Sequence, residues 1–432
     1  MTQQSETASF SAEDSRVTGL SIAVIGAGYA GVLAINRLLA SLSEEERGHV
    51  RLTVINPRTE FVERIRLHEL AAGSRASVSF PLTDILHRDA RVVTGTATRI
   101  DAQAQTVTIE TATGESMEGY DWLIYAPGSS AAAPVPGSRE HAHLIANFDG
   151  AQSAARELEV AGPGTRVVVV GGGFTGVEAA AEVAEHRPHV QVTLLSGGPI
   201  VSQMPPAARR SILRAYKRLG VTVLEDAVVE RITNRTVNLG DGRSVEYDLC
   251  LLALSFTAPD LAQVSGLAVD AAGRLRVDES LCSVDAVNII GAGDAVAPPP
   301  AVGSHLRMGC AVALPLGGHA ADTMLHLLRG EKPTPISIGL IMQCLSLGRK
   351  RGYIQFMRAD DTPRPLHLNG RLGASVKEII CRMVVNAPRK ERRKPGAYRA
   401  IQGPRHNRDH TGSVVDDDPA EKPARSTLRV LP

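Results

Sequence analysis

The chain has 432 residues, 43% of them hydrophobic and 22% charged, enough for two or three globular domains with sizeable cores. Its 47 basic and 46 acidic residues leave a net charge of +1, which excludes a global field of the kind that gathers nucleic acid. The five cysteines (Cys250, Cys282, Cys310, Cys344 and Cys381) form no C-x-x-C or C-x4-C pair. Neither a disulfide framework, a local dithiol centre nor a metal site is therefore expected, and scattered thiols fit a reducing cytoplasm.

Residues 1–17 are polar and read as a disordered leader without the apolar core of a signal peptide. No apolar run reaches the roughly 18 residues needed to span a membrane. From Leu20 the chain turns apolar without alternation, through Ser21-Ile22-Ala23-Val24-Ile25, which predicts a strand covered on both faces. Gly26-Ala27-Gly28-Tyr29-Ala30-Gly31 follows, then a predicted helix over Val32–Leu42 and a strand over Val50–Ile55. In this context the three glycines have distinct tasks: a tight turn, a close backbone approach to a pyrophosphate, and close helix–strand packing. The helix N-terminus offers free N–H groups and partial positive charge to the anion. The acid expected at the end of the second strand, for a ribose hydroxyl, is here Asn56.

Arg91–Glu110 holds two β-rich runs separated at Gly95, and Tyr120-Asp121-Trp122-Leu123-Ile124-Tyr125-Ala126-Pro127-Gly128 comes next. The first unit then recurs: a strand at Arg166–Val170, the turn Gly171-Gly172-Gly173-Phe174-Thr175-Gly176, a helix at Val177–Glu185 and a strand at Val190–Leu195. Two dinucleotide sites in one chain suit one tightly held cofactor and one that diffuses. The second unit's second strand ends in Ser196-Gly197-Gly198, again without an acid, so NADH and NADPH stay open. Arg209 and Arg210 are near enough in sequence to meet a phosphate, or they form a solvated helix face. Glu178 either complements the helix dipole in a first turn or sits beside a nicotinamide. Gly220–Cys250 alternates strands and turns, with Gly240-Asp241-Gly242 as a hairpin signal. Val287–Asp294 is a strand entering a Gly-rich turn, and a helix is predicted over Met308–Leu328, broken or started near Pro315.

In this order Gly26–Gly31, Gly171–Glu178 and Gly291–Asp294 resemble the FAD-dependent pyridine nucleotide–disulfide oxidoreductase superfamily, over roughly residues 18–385. Within it the chain is similar to type II NADH dehydrogenases and apoptosis-inducing-factor-like oxidoreductases. The resemblance implies an α/β fold of two Rossmann-like domains, one for FAD and one for NAD(P)H, the second inserted in the first, plus a small C-terminal region. Expected bounds are 18–148 and 273–335 for FAD, 149–272 for NAD(P)H and 336–388 for the C-terminal region. FAD is then expected against Gly26, Ala27, Gly28, Tyr29, Ala30 and Gly31, with Asn56, Arg64, Thr96, Ala97, Ala126, Gly128, Gly293, Asp294 and Leu314 around it. NADH or NADPH is expected against Gly171, Gly173, Phe174, Thr175, Gly176, Glu178 and Ser196. Asp294 is also placed to cap a helix.

The departures from the family are specific. Its paired redox cysteines are absent, so no thiol relay is expected. Cys310–Gly317 lacks the glutamines of quinone-reducing members, and Pro127 stands where Ala-Thr-Gly is usual. Phe61–His68 is more polar than in type II NADH dehydrogenases. There Arg64 and His68 either serve the flavin, as a cation and a proton carrier, or join Arg66 in ion pairs with Glu63 and Glu69. Val376, Ile379, Ile380, Met383 and Val384 share one helical face beside the basic run Arg389–Lys394, which suits peripheral contact with the inner face of a membrane or packing on the core. Residues 389–432 read as a disordered tail. The expected activity is a cytoplasmic FAD-dependent NAD(P)H oxidoreductase that passes electrons to a second acceptor, a quinone or another small molecule. The alternatives are a non-catalytic nucleotide-sensing flavoprotein and an FAD enzyme acting on a specialised metabolite.

Overall fold

The computed structural model describes residues 19–131 and 135–404; the expected leader and residues 405–432 lie outside them. The apolar run at Leu20 forms strand β1 (Leu20–Ile25), buried along nearly its whole length. Helix α1 (Tyr29–Ser41), strand β2 (Val50–Asn56), a short helix α2 (Leu67–Ala71) and strands β3 (Ala90–Thr94) and β4 (Trp122–Tyr125) follow. The second unit comprises β5 (Arg166–Val170), α3 (Phe174–His186), β6 (Gln191–Leu195), α4 (Pro206–Leu219), β7 (Thr222–Leu224) and β8 (Leu249–Leu252). Then come β9 (Ile289–Gly291), the long helix α5 (Cys310–Leu328), strands β10 (Met342–Ser346), β11 (Gly352–Met357) and β12 (Pro363–Asn369), and helix α6 (Gly370–Glu391).

The first sheet has the order β9-β4-β1-β2-β3, and every neighbouring pair is parallel. Strand β9 joins it from beyond the second unit, so that unit is inserted in the first. The second sheet runs β8-β5-β6-β7, again parallel, with the two-residue strand His143–Leu144 on its outer edge. Each sheet reverses its strand order beside a glycine-rich loop, and the crevice at such a reversal is where α/β sheets take ligands.

Both helices of the glycine units begin three residues before their predicted starts, at Tyr29 and Phe174. Gly28 and Gly173 are the N-caps, so the third glycine of each motif already lies in the first turn. Glycine contributes nothing to an apolar period, so a hydrophobic pattern does not reveal that turn. Pro315 lies inside α5, which begins at Cys310. The hairpin turn at Gly240–Gly242 forms as expected, with Gly242 at φ +86° and its N–H donating to Leu239 O at 3.0 Å.

The C-terminal region differs from expectation in two ways. The buried face of α6 is Gly373, Lys377, Cys381, Val384, Val385 and Pro388, whereas Ile379 and Met383 are exposed. The apolar stripe is thus rotated from the one predicted, because a paired lysine occupies the inner face. The supposed tail is also structured up to residue 404. Glu391 is 0% exposed; it accepts from Arg37 Nη2 at 2.8 Å and from the N–H groups of Gly396 and Tyr398 at 2.8 and 2.6 Å. Composition counts these charges as solvated, but pairing makes them internal.

Candidate active site

The two glycine loops repeat one geometry. Gly26 has φ +94°, and a Cβ there would lie 2.2 Å from Ala126 O. A Cβ on Gly31 would lie 2.0 Å from Gly26 O. In the second unit Gly171 has φ +126°, with Ala253 O at 2.3 Å, and a Cβ on Gly176 would lie 1.9 Å from Gly171 O. Gly28 and Gly173, the middle glycines, have nothing within 4 Å of an added Cβ. Two glycines per loop are thus demanded by the fold itself, and the third faces open space at a helix N-terminus, where the first N–H groups have no helical partner. That arrangement fits a pyrophosphate in each loop.

Around the first loop, Ala27 N–H donates to Asn56 Oδ1 at 3.0 Å and Asn56 Nδ2 donates to Arg58 O at 2.7 Å. Asn56 therefore fastens the turn with both halves of its amide, a role not anticipated for it. Thr96 and Ala97 lie just past β3, in the strand Thr96–Asp101. Ala126 continues β4 and donates its N–H to Ile25 O at 2.9 Å. Gly128, at φ +77°, has open space around it. Asp294 accepts from Ser129 Oγ at 2.9 Å and from Gly309 N at 2.8 Å, the N-cap residue of α5. It joins the β4 turn, the Gly293 turn and the residue before α5 at one point, but it caps neither helix: the first-turn N–H groups of α5 receive no side-chain cap. Ala30 is a packing residue, its carbonyl 2.2 Å from where a Gly317 Cβ would lie. Leu314 is buried in the core of the first domain.

Tyr29 is buried; its hydroxyl accepts from Ile65 N at 3.3 Å, and its ring meets Phe61 edge-on. This seats the segment that carries Arg64, Arg66 and His68, and their fates differ. Arg66 forms ion pairs with Glu63 (3.2 Å), Glu69 (2.9 Å) and Glu378 (2.9 Å), so it is structural. Arg64 has only carbonyl acceptors, Ser129 O at 2.7 Å and Ala146 O at 3.3 Å, and lies over the Phe256 ring. No carboxylate lies within ion-pair distance of it among the described residues. His68 is buried, burial pushes its pKa down, and its Nε2 has no partner among the described residues.

Glu178 corrects one expectation outright. It is the fifth residue of α3, and the first turn holds no acid, so it does not complement the dipole. Instead it accepts from Lys377 Nζ at 3.0 Å and from Ser346 N at 2.9 Å, with His68 Nδ1 4.0 Å from its other oxygen. Sequence reasoning missed Lys377, although its place on the inner face of an amphipathic helix is the available signal. Burial works against its ammonium, but facing Cys344 and Glu178 hold the amine above its usual range. Nearby Cys310 and Cys381 are pushed by burial to about 11 and about 12, which keeps both as protonated thiols at neutral pH.

Glu182, one turn further along α3, makes the pH dependence testable. Burial lifts its carboxyl from 4.5 to about 7, against a hydrogen bond from Ser74. The folded chain thus binds this proton more tightly than the unfolded chain does. The contribution is complete below 4.5 and is lost as pH rises through 7, by roughly 3 kcal/mol in all. His68, pushed down, acts with the opposite sign and costs stability as pH falls through its folded value towards acid. Denaturant melts across pH are expected to show Glu182→Gln removing the loss towards pH 7 while the acid-side loss persists.

Two parallel sheets, each with a glycine loop beside its strand reversal, define a protein with two Rossmann-like domains of the dinucleotide-binding type. The chain belongs to the pyridine nucleotide-disulphide oxidoreductase family, whose model matches residues 20–312. It is 30% identical over 349 residues to an NADH dehydrogenase-like protein of Mycobacterium tuberculosis, covering 76% of this chain and 85% of that one. Among solved structures, the sulfide:quinone oxidoreductase of Aquifex aeolicus matches with a TM-score of 0.71 at 20% identity, over 88% of this chain and 93% of that one. NDH2 of Plasmodium falciparum, determined with NADH, matches with a TM-score of 0.72 at 14% identity, over 86% and 96%.

Proposed function

We propose that this chain is an FAD-dependent NAD(P)H oxidoreductase that passes electrons from the nicotinamide through the flavin to a small quinone. The observation that carries the reading is the pair of matching glycine cradles, each with two sterically obligatory glycines and one open one. FAD bound in the first cradle supplies the two-electron chemistry, and the protein supplies binding, orientation and electrostatics. Gly26, Gly28 and Gly31 seat its pyrophosphate at the start of α1, and Asp294 fixes the turn and the α5 N-terminus beside it. The nicotinamide dinucleotide takes the second cradle at Gly171, Gly173, Phe174, Thr175 and Gly176.

Arg64, a cation with carbonyl hydrogen-bond partners only among the described residues, favours negative charge gathering beside it. Glu178 and His68 move protons at the carboxylate and at the free Nε2, and Lys377 fixes the carboxylate. The quinone follows from the similarity to quinone-linked relatives. Peripheral docking at the cytoplasmic face of a membrane accords with the exposed row Leu366, Leu372, Ile379 and Met383 beside Arg371 and Arg382. No helix among the described residues is long and apolar enough to cross a membrane.

The purified protein is expected to be yellow. Anaerobic NADH or NADPH should bleach the flavin band, and menadione or a short-chain ubiquinone should restore it. A yellow protein that neither nicotinamide bleaches defeats the donor half of the reading. A bleached protein that reoxidises only slowly with every quinone defeats the acceptor half.

A further inference from the structure

The adenosine end of the second cradle is closed by a connected set of contacts. Val201 N donates to Gly172 O at 2.9 Å, Ser196 N to Leu224 O at 2.9 Å, and Ala227 N to Ser196 O at 2.8 Å. The loops after β6 and β7 thereby form one corner beside the glycine turn, over the strand ends where a Rossmann fold holds the adenosine ribose.

Three features of that corner bear on what it reads. First, the position after β6 carries no acid, and the Ser196 hydroxyl donates to Gly198 O at 2.6 Å. Second, Gly197 and Gly198 leave space: an added Cβ meets only Val228 at 3.7 Å in the first case and nothing in the second. Their N–H groups donate to nothing among the described residues. Third, a cation is pinned there. Glu225, just past β7, accepts from Ile200 N at 2.8 Å and from Arg209 Nε at 3.2 Å on one oxygen, and from Arg209 Nη2 on the other.

Arg209 is the fourth residue of α4, so the positive end of that helix adds to its charge. Both Glu225 oxygens are already engaged, which leaves the carboxylate poorly placed to select a ribose hydroxyl. The guanidinium keeps Nη1 without a partner among the described residues, with its side chain 37% exposed. A cation with a free donor, beside open backbone N–H groups and with no acid at the strand end, matches a phosphate monoester better than a hydroxyl.

We propose that the nicotinamide site selects NADPH over NADH, with Arg209 contacting the 2′-phosphate and Glu225 acting as the residue that positions Arg209. This rests on the assignment of the second cradle to the nicotinamide nucleotide. Partial burial pushes the Glu225 carboxyl up, but Arg209 and the Ile200 N–H outweigh it and hold it below the usual range, which keeps the anchor ionised.

Calorimetry on the FAD-loaded full chain, with adenosine 2′,5′-bisphosphate and AMP as probes, tests the contact apart from turnover. The bisphosphate is expected to bind on the order of 10-fold tighter than AMP, and Arg209→Ala to abolish that margin while leaving AMP affinity unchanged. Arg209→Lys should retain part of the margin, because the charge persists without the fork geometry. Glu225→Gln should reduce it by loosening Arg209, visible as a rise in KM for NADPH at unchanged kcat. Arg210→Ala, the next residue along α4, should change neither. Equal binding of the two probes, or a higher kcat/KM for NADH than for NADPH in the unmodified protein, overturns the proposal while the donor site stands. If neither probe binds and neither dinucleotide bleaches the flavin, the cradle assignment itself is wrong and the proposal falls with it.

Discussion

Gly176→Val is expected to leave the protein yellow and to slow reduction of its flavin by either nicotinamide by on the order of 100-fold or more. A Cβ at this position would lie 1.9 Å from Gly171 O, a backbone atom of a turn that is itself held at φ +126° against Ala253 O. Neither atom is the end of a flexible side chain, so α3 must move away from β5. The stability cost of such overpacking is about 1–3 kcal/mol, which a chain of this size tolerates. The functional cost is larger, because a shift of about 1 Å in a positioned donor is enough for on the order of 100-fold in rate. The first cradle is remote from this change and keeps its cofactor. Gly31→Val is the mirror experiment: its Cβ would lie 2.0 Å from Gly26 O, and the product is expected to be colourless. Absorbance spectra of both variants, with anaerobic stopped-flow reduction of the first, provide the check. A Gly176→Val protein reduced at the unmodified rate is incompatible with a donor in the second cradle.

Lys377→Met is expected to destabilise the protein by about 3–5 kcal/mol, lowering its first unfolding transition by on the order of 10 °C. The change strands the Glu178 carboxylate, buried between α3 and the C-terminal sheet, with the Ser346 N–H as its one remaining close donor among the described residues. His68, 4.0 Å away and held neutral by burial, does not replace the ammonium. Glu178→Gln alone strands the lysine in the same way. Because each single change leaves one buried charge uncompensated, the double variant should be more stable than the sum of the losses predicts, by at least about 1 kcal/mol. Strictly additive losses in calorimetric melts are the outcome that removes the pair from the account.

The parts of this molecule legible in the sequence are those whose physics is local. Gly31 and Gly176 are dictated by the carbonyls of Gly26 and Gly171 within the same loop, and Gly26 and Gly171 by the positive φ of their own turns, so their spacing reveals them. The hairpin at Gly240–Gly242 is legible for the same reason. Arg66 was readable in part: Glu63 and Glu69 are neighbours in sequence, while Glu378 arrives from the last helix. The role of Glu178 was not readable. Its partner Lys377 lies on α6, and a lysine among apolar residues looks like part of a solvated face until a buried carboxylate is known to oppose it. Asn56 was placed correctly at a strand end, yet its amide is drawn into the turn by the Ala27 N–H.

The Arg37–Glu391 pair carries a consequence for how the enzyme ages. Arg37 lies six residues past Gly31 on α1, about 9 Å along the same rigid rod that presents the first cradle. Its guanidinium also bonds Asp322 on α5 at 3.0 Å and the carbonyl of Tyr398. A protease that clips the chain just ahead of residue 391 removes the deepest of these counter-charges and leaves a nearly enclosed cation at the back of α1, with Asp322 as its remaining carboxylate partner. On the proposed assignment of FAD to the first cradle, loss of the last few turns is expected to loosen α1 and release flavin, so the colour of stored protein should fall as C-terminal nicking rises.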